Sequence, residues 1–308
     1  MTDRERREPD SGILLLDKPI GLTSNAVLGR AKRVLGIRKA GHCGTLDPMA
    51  SGLMVLCFGE ATKVSGFLLD AAKAYSAEAT LGITTDSEDA EGEVVAEKAV
   101  PNLDRDQLEV ILERFRGEIE QVPPMHSALK HQGRRLYELA RKGETVERPA
   151  RRMTIHRLEL TALELPRIRL EVECSKGTYI RSLVRDIGEA IGCGAHLSAL
   201  RRTLSAPFKL ADAIALENLE SLNPEEARTL LLPADQALTH LPEIHLDPIQ
   251  STRLRHGQRL AGLDCTACGL VRVYDNQAFI GIGESDGQGH LKPRRLMATD
   301  AVKSPDKP

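Results

Sequence analysis

The chain has 308 residues, a net charge of −2, 41% hydrophobic residues and 28% charged residues, which is ordinary globular composition. This excludes a fibrous or fully disordered chain, and the length predicts two domains. No apolar run approaches the roughly 18 residues that a membrane-spanning helix needs, and the charged N-terminus lacks the apolar region of a secretory signal. We therefore expect a cytoplasmic protein without membrane association, whose six cysteines are reduced.

In chain order, the first part of the sequence predicts strands and helices around a glycine-rich loop. Residues 12–18 form an apolar run typical of a buried strand. Thr23 or Ser24 can cap a helix that runs to about Leu35, since Gly36 follows as a stop signal. After the loop at 41–48, the pattern predicts a strand (52–58), a capped helix (60–69), a strand (75–82), a turn-rich acidic loop (84–93) and an amphipathic helix (103–115).

The second part of the sequence predicts a short helix at 134–141, strands at 154–163 and 167–174, a helix from a Thr178 cap to about Ile191, and a strand at 195–202. Helical pieces fill 212–240. Beyond Pro242, many glycines and short β-like runs predict a small β-rich domain. We therefore expect a larger domain over residues 1–242 and a smaller one over 243–308.

Charge is distributed unevenly along the chain. From Glu78 to Glu120 there are thirteen acids and four bases, whereas from His126 to Arg157 there are nine bases and three acids. Residues 1–42 and 176–209 are also net basic. Any single basic block is usually a solvated surface, but several blocks in one chain favour a polyanionic partner.

Asp47 is the strongest candidate for chemistry. The glycines of the loop permit close approach of another backbone, and Pro48 stiffens the chain after the carboxylate. A carboxylate on a stiff loop can act as a nucleophile or a base, although Asp-Pro can also form a simple turn. A buried Asp47 needs an arginine partner to remain ionised, and spacing does not choose it. Arg181 is one candidate, with a surface position on a helix as the alternative.

Other motifs give little support for metal or nucleotide chemistry. Cys265 and Cys268 form a lone pair without the two further ligands that a structural zinc site needs. The sequence contains neither a phosphate-binding GxxxxGK[ST] loop nor a dinucleotide-binding GxGxxG pattern. We therefore predict no metal site and no cofactor.

Five segments in order closely resemble the bacterial tRNA pseudouridine synthase B family. They are GILLLDKPIGLTS, AGHCGTLDPMASGLMVLCFGEATK, KAYSAEATLGITTDSEDAEG, VPPMHSALKHQGRRLYELARKG and CSKGTYIRSLVRDIGEAIGCGAHLSALRRT. The resemblance covers residues 11–205 and continues more weakly to the C-terminus. It implies an α/β fold of the α+β kind: a pseudouridine synthase core with a mixed, largely antiparallel sheet, followed by a PUA-like domain.

The resemblance also implies roles for individual residues. Asp47 matches the family's catalytic aspartate, Tyr75 matches a tyrosine that stacks on the target base and handles a proton, and Arg181 matches the arginine that pairs with the aspartate. Four residues match positions around the bound uridine: His42, Tyr179, Leu200 and Lys18. The family often has Thr or Gly where this chain has Cys43, and we expect a small side chain there to be tolerated.

The family isomerises uridine 55 in the T-loop of tRNA, and the resemblance implies the same reaction here, without a cofactor and without an obligate protein partner, in a monomer. The basic block matches an insertion, at about 124–152, that clamps the T-arm, and its expected phosphate-binding residues are Lys130, Arg141, Lys142, Arg148, Arg151 and Arg152. Whether Asp47 attacks the sugar or abstracts a proton stays open. The alternatives are a non-catalytic RNA-binding protein and a guide-dependent synthase that acts on another RNA.

Overall fold

The computed structural model describes residues 11–298, except residues 128, 141 and 277. The α-helices are α1 (Ser24–Leu35), α2 (Ser65–Asp70), α3 (Arg105–Glu113), α4 (Leu136–Ala140), α5 (Ile180–Ile191), α6 (Leu216–Glu220), α7 (Pro224–Thr229) and α8 (Pro248–Arg255). Short 3₁₀ helices span Gly59–Val64, Leu210–Asp212 and Ala234–Leu238.

The strands up to the end of the basic block are β1 (Gly12–Lys18), β2 (Ala40–His42), β3 (Ser51–Phe58), β4 (Lys73–Leu81), β5 (Ile83–Thr85), β6 (Val94–Glu97), β7 (Gly117–Gln121), β8 (Lys130–His131) and β9 (Arg134–Arg135). The later strands are β10 (Arg151–Glu164), β11 (Arg167–Cys174), β12 (Ala195–Ser205), β13 (Phe208–Lys209), β14 (Ile214–Ala215), β15 (Glu243–Leu246), β16 (Cys268–Asp275), β17 (Ala278–Asp286) and β18 (Leu291–Leu296).

A large mixed sheet forms the centre of the fold. Its strand order is β14-β1-β3-β12-β4-β11-β10-β7, with β2 beside β3 and β13 beside β12. The pairs β1–β14 and β3–β12 are parallel, and the other pairs of this sheet are antiparallel. The mixed, largely antiparallel sheet expected from the sequence is therefore confirmed.

Helix α1 shows how local signals fix an element. The Thr23 side chain accepts a hydrogen bond from the N–H of Ala26 at 3.1 Å, and Gly36 ends the helix with a left-handed φ of 70°. Val27, Ala31 and Leu35 are fully buried at helical spacing and pack in the main core. Of the two expected caps, Thr23 is therefore the one that the structure uses.

Helix α5 covers the middle of the sheet and carries Arg181. Its apolar stripe includes Leu183, Val184 and Ile187, which lie in the same buried core as Ala77 of β4. Arg181 lies in the first turn of the helix, just before this stripe. Packing of the stripe therefore fixes the position of the Arg181 backbone.

Three local predictions are wrong. Residues 60–69 are not one capped helix, because Gly59–Val64 is a 3₁₀ helix and α2 follows it without a side-chain cap. Thr178 does not cap α5; its hydroxyl donates to the carbonyl of Ser175 at 3.0 Å, and Tyr179 occupies the cap position. Residues 134–135 pair with β8 in a short ribbon, so that α4 begins only at Leu136.

The C-terminal region forms a second sheet, in the order β15-β16-β17-β18, with α8 packed beside it. Tyr274 of this region donates a hydrogen bond to Asp235 at 2.8 Å, and Arg272 donates to the carbonyl of Leu241 at 3.0 Å. The small β-rich C-terminal unit is therefore confirmed, and these contacts join it to the preceding helices. None of the helices in the described part of the chain is long and apolar enough to cross a membrane.

Candidate active site

The loop between β2 and β3 holds Asp47 through a buried lysine. Lys18, at the end of β1, is fully buried, and its Nζ donates to the carbonyls of Pro19 at 2.9 Å, Pro48 at 3.3 Å and Ala50 at 2.6 Å. The N–H of Ala50 also donates to the carbonyl of Asp47 at 3.1 Å. The lysine thus ties the residues after Asp47 to the end of a core strand, which restricts motion of the carboxylate.

The same loop is fixed on its other side by Ser24, a residue that sequence reasoning considered only as a helix cap. Ser24 Oγ donates to the carbonyl of Leu46 at 2.9 Å and accepts from the N–H of Leu46 at 2.8 Å. Its side chain is buried at the start of α1. Asp47 therefore lies between two backbone attachments, one to α1 and one to β1.

Arg181 lies beside Asp47, as the resemblance implies. Its Nε is 3.1 Å from Asp47 Oδ2, and its side chain is 5% exposed. Nη1 donates to the carbonyl of Ser87 at 2.9 Å, and Nη2 donates to the carbonyl of His126 at 2.7 Å. Two fixed carbonyls thus hold the guanidinium plane, and its Nε side faces the carboxylate of Asp47.

Asp89 is a second carboxylate on Arg181 that sequence reasoning missed. Its Oδ2 is 3.5 Å from Arg181 Nη1, and its side chain is only 6% exposed. Asp89 Oδ1 accepts from Ser87 Oγ at 2.5 Å and from the N–H of Glu91 at 3.1 Å. One guanidinium therefore lies between a buried, hydrogen-bonded carboxylate and the more exposed Asp47.

Opposing effects set the pKa of Asp47. Burial raises the pKa of this carboxyl and the nearby charge of Asp89 raises it further, whereas the cations of Arg181 and Lys18 lower it. The side chain remains 38% exposed, so a ligand or water reaches it. The result is a carboxylate with a pKa above its ordinary value, whose ionised form depends on Arg181.

Tyr75 and His42 lie on the strands beside this loop. Tyr75, on β4, is 9% exposed, and burial raises the pKa of its hydroxyl. His42 is half-buried at the end of β2, where burial and the charge of Arg202 lower its pKa and favour the neutral ring. His42 Nδ1 is enclosed and has no hydrogen-bond partner among the described residues.

Tyr179 and Leu200 occupy neighbouring elements. Gln121, at the end of β7, accepts from the N–H of Tyr179 at 2.8 Å and donates to its carbonyl at 3.0 Å. Leu200 is half-buried on β12, opposite Ala77 of β4. Gln121 is 2% exposed, and no sequence motif distinguishes it. Its two hydrogen bonds fix the backbone at Tyr179, next to Arg181.

The basic block presents an uneven set of cations. Lys142, Arg151 and Arg152 are exposed, and Arg152 Nε lies 4.0 Å from Glu120. Arg148 is half-buried, with its Nε enclosed and without a hydrogen-bond partner among the described residues. Arg141 and the side chain of Lys130 lie outside the described residues. The exposed cations near the start of β10 are therefore the ones available to an anion.

The cysteine pair near the C-terminus does not form part of a larger cluster. Cys265 is half-buried, with its thiol 3.6 Å from the hydroxyl of Ser285, and Cys268 is exposed. Across the part of the chain that the structure describes, no group of three or more His, Cys, Asp or Glu side chains is arranged to hold a metal ion.

A groove of about 1000 Å³ lies away from Asp47. Its lining includes Lys63 and Phe67, which follow β3, together with His240 and with Arg295 of β18. Asp47, Arg181 and Tyr75 do not line this groove, so the candidate site is separate from it.

Lys18 gives a first prediction. Replacing it by Met leaves three carbonyl groups, of which that of Ala50 is fully buried, without their donor, and we expect the free energy of unfolding to fall by about 2 kcal/mol. The loss is smaller than three hydrogen bonds because burial lowers the pKa of Lys18 to about 8, and removal of the ammonium relieves that desolvation. Urea unfolding measures the change. Lys209→Met, at an exposed lysine, is the control. Equal stability of the two variants would mean that the hydrogen bonds of Lys18 do not hold the loop.

Comparisons with known proteins agree on one family. Residues 32–180 match the TruB family pseudouridylate synthase N-terminal domain, residues 181–239 match the tRNA pseudouridylate synthase B C-terminal domain, and residues 242–297 match the C-terminal domain of pseudouridine synthase II TruB. The chain is 52% identical to tRNA pseudouridine synthase B of Aromatoleum aromaticum, over 97% of this chain and 96% of that protein. It is 51% identical to the protein of the same name from Chromohalobacter salexigens, over 99% of this chain and all of that protein.

Solved structures share the fold at lower sequence identity. The fold is similar to a chain in a crystal structure of a Cbf5-Nop10-Gar1 complex, with a TM-score of 0.70, 28% identity, and coverage of 96% of this chain and 85% of that one. It is also similar to a chain in the structure of an H/ACA RNP bound to a substrate RNA containing 2′-deoxyuridine, with a TM-score of 0.70, 25% identity, and coverage of 97% and 93%.

Proposed function

The chain belongs to the TruB family of pseudouridylate synthases, and from this premise we propose that it isomerises uridine to pseudouridine at position 55, in the T-loop of tRNA. The family makes the chain an isomerase, and the curated relatives are named for tRNA as substrate. The observation that carries the proposal is the ion pair between Asp47 and the buried Arg181. Asp47 lies on a loop that Lys18 holds in place by hydrogen bonds to its carbonyls. The partial exposure of Asp47, and the cation of Arg181 that favours its ionised form, support a carboxylate that acts on a flipped nucleotide.

The reaction needs few chemical groups. The N1–C1′ bond of uridine breaks, a C5–C1′ bond forms, C5 loses its proton and N1 gains one, so that the atoms balance without any co-substrate. An ionised carboxylate can assist by attacking C1′ or by removing the 2′ proton of the sugar. In both routes Asp47 has to be ionised, and Arg181 favours that form.

The remaining site residues fit a pocket around one base. We propose that the ring of Tyr75 stacks on the target uracil, and that Tyr179 and Leu200 line the pocket. His42, half-buried at the end of β2, lies near the flipped nucleotide. Lys18 supports the site indirectly, by hydrogen bonds that fix the loop that carries Asp47. Flipping a base out of a folded loop costs a few kcal/mol, which contacts elsewhere on the RNA have to offset.

We propose that the insertion at about 124–152 supplies those contacts by binding phosphates of the T-arm, through Lys130, Arg141, Lys142, Arg148, Arg151 and Arg152. The open exposure of Lys142, Arg151 and Arg152 supports the role. Arg148 is the weakest member, because part of its guanidinium is enclosed. We further propose that residues 1–242 form the catalytic domain and residues 243–308 an RNA-binding domain, in a cytoplasmic monomer without an obligate protein partner.

A tritium-release assay tests the function. A tRNA transcript labelled at C5 of uridine loses its label when C5 bonds to the sugar, and we expect about one tritium per tRNA from the pure protein without added RNA or protein. A transcript with cytidine at position 55 is the control and should release none. Retention of the label would favour a non-catalytic RNA-binding role. Release only after a guide RNA is added would favour the guide-dependent alternative.

Neutralising two cations of the insertion gives a second prediction. Arg151→Ala combined with Arg152→Ala should lower the slope of log Kd against log salt concentration by about 1–2, because up to two phosphate contacts are lost. The fold should persist, since both side chains are exposed. Filter binding of tRNA at several salt concentrations measures the slope.

The control is a second exposed pair on the same hairpin, Arg157→Ala with Arg167→Ala, farther along β10 and at the start of β11. It should leave the slope unchanged. Parallel salt plots for wild type and the Arg151/Arg152 variant would mean that this end of the hairpin does not touch the RNA.

A further inference from the structure

Arg202, on β12, is a buried cation without a direct counter-ion. Its side chain is 1% exposed, and among the residues that the structure describes no carboxylate forms an ion pair with it. Burying a guanidinium is expensive unless hydrogen bonds replace its water. The contacts that offset this desolvation indicate what the residue does.

Those contacts reach the strand and the loop on either side of Asp47. Arg202 Nε donates to the carbonyl of Leu53 on β3 at 2.6 Å. Nη2 donates to the carbonyl of Gly44 at 3.2 Å, and Nη1 lies 3.5 Å from the carbonyl of Thr45. Gly44 and Thr45 begin the turn that carries Asp47. The guanidinium of Arg202 therefore fixes the residues that precede Asp47 in the chain, whereas Lys18 fixes the residues that follow it.

The backbone of Arg202 is also held in place. It pairs with Gly52 of β3, where a Cβ would lie 2.4 Å from the Arg202 carbonyl oxygen and 2.7 Å from its nitrogen. The φ of Gly52 is +101°, which also favours glycine. The close approach of the two strands at this point fixes the backbone from which the side chain of Arg202 extends.

Arg202 also lies beside Tyr75. The two residues are directly opposite each other on β12 and β4, so their side chains lie on the same face of the sheet, and both are buried. Arginine has donors and no acceptor, so in a hydrogen bond between these two side chains the oxygen of Tyr75 accepts. The proton of the Tyr75 hydroxyl would then be directed away from Arg202.

We propose that Arg202 donates a hydrogen bond to the Tyr75 oxygen and is a positioning residue that holds the Tyr75 hydroxyl and the loop of Asp47 in one fixed arrangement, with the Tyr75 proton directed toward the bound nucleotide. The inference rests on the proposed function, since it assigns a residue of the same site. The electrostatics agree: burial raises the pKa of Tyr75, and the charge of Arg202 opposes that rise. If Tyr75 carries negative charge at any step, Arg202 stabilises it.

The test is a double-mutant cycle on the single-turnover rate of tritium release. Arg202→Met should lower the rate by roughly 10²-fold, the usual effect of removing one preorganised donor, with tRNA affinity nearly unchanged. In a Tyr75→Phe background the same substitution should have a much smaller effect, because its partner is already absent. Arg201→Met, on the exposed side of the same strand, is the matched control and should keep the wild-type rate. Effects of Arg202→Met and Tyr75→Phe that simply multiply would overturn the proposal.

A second measurement needs no substrate. The chain has four tyrosines and no tryptophan, so ¹³C labelling at tyrosine Cζ gives a simple spectrum in which Tyr75→Phe assigns one signal. Arg202→Met should move the Tyr75 signal and shift its titration to higher pH; an unmoved signal would overturn the proposal. If wild type releases no tritium, the proposed function fails, whereas the spectrum still decides the contact.

If Arg202→Met does not fold, Arg202→Lys should still lose at least about tenfold in rate, because one ammonium cannot make all four contacts. A wild-type rate of Arg202→Lys would overturn the proposal.

Discussion

Replacing Asp47 by Asn should abolish pseudouridine formation, with a single-turnover rate at least about 10⁴-fold below wild type. The amide has nearly the shape of the carboxylate and can stay in the loop that Lys18 and Ser24 hold. It cannot attack C1′ as an anion, and it cannot take a proton from the sugar. The substitution therefore removes the chemistry of both routes while leaving the loop intact. Tritium release under single-turnover conditions measures the loss.

Binding separates this effect from misfolding. The affinity for tRNA should stay within a few-fold of wild type, because phosphate contacts on other elements supply most of it. Asp212→Asn, at an exposed aspartate of a 3₁₀ helix, is the control and should keep the wild-type rate. Measurable turnover by pure Asp47→Asn protein would show that the carboxylate is not required, and another group would then have to be sought.

The parts of the fold that were predicted correctly depend on neighbours in sequence. The cap at Thr23, the apolar spacing of α1 and the stop at Gly36 all act within one helix, so the sequence alone locates it. The strand at 167–174 matches β11 because one of its faces is buried along its whole length. Thr178 was wrongly predicted to cap α5, because the backbone N–H of Tyr179 is bound by Gln121, a residue from a distant strand.

The candidate site likewise contains residues that local sequence signals indicate and residues that they do not indicate. Asp47 could be suspected because glycines and Pro48 surround it, and its partner Arg181 was one candidate among several. Asp89 and Arg202 carried no local signal. Asp89 lies in an acidic stretch that resembles a solvated loop, although its side chain is buried against Arg181. Arg202 resembles its exposed neighbour Arg201. Arg202 comes to the loop through the position of β12 in the sheet, and Asp89 comes to Arg181 through the fold of the segment between β5 and β6. Single-sequence patterns reveal neither arrangement.

Replacing Arg181 by Met should have the second-largest effect. The guanidinium opposes the burial that raises the pKa of Asp47, so its loss should raise that pKa further. At a given pH a smaller fraction of Asp47 is then ionised. The rate should fall by roughly 10²–10³-fold near neutral pH, and the acid limb of the pH–rate profile should move to higher pH. Arg181→Lys, which keeps a positive charge, should move the limb less.

Stability provides the decisive comparison for Arg181. Its removal leaves the carboxylate of Asp89, 6% exposed, without a cation, and the free energy of unfolding should fall by about 3–5 kcal/mol. Adding Asp89→Asn to Arg181→Met removes the unpaired charge, and should restore part of the stability without restoring the rate, because Asp47 still lacks its partner. Urea unfolding and single-turnover tritium release on both variants measure the two effects separately. Recovery of activity together with stability would mean that Arg181 serves the fold alone, and an acid limb unchanged from wild type would mean that it does not control the ionisation of Asp47.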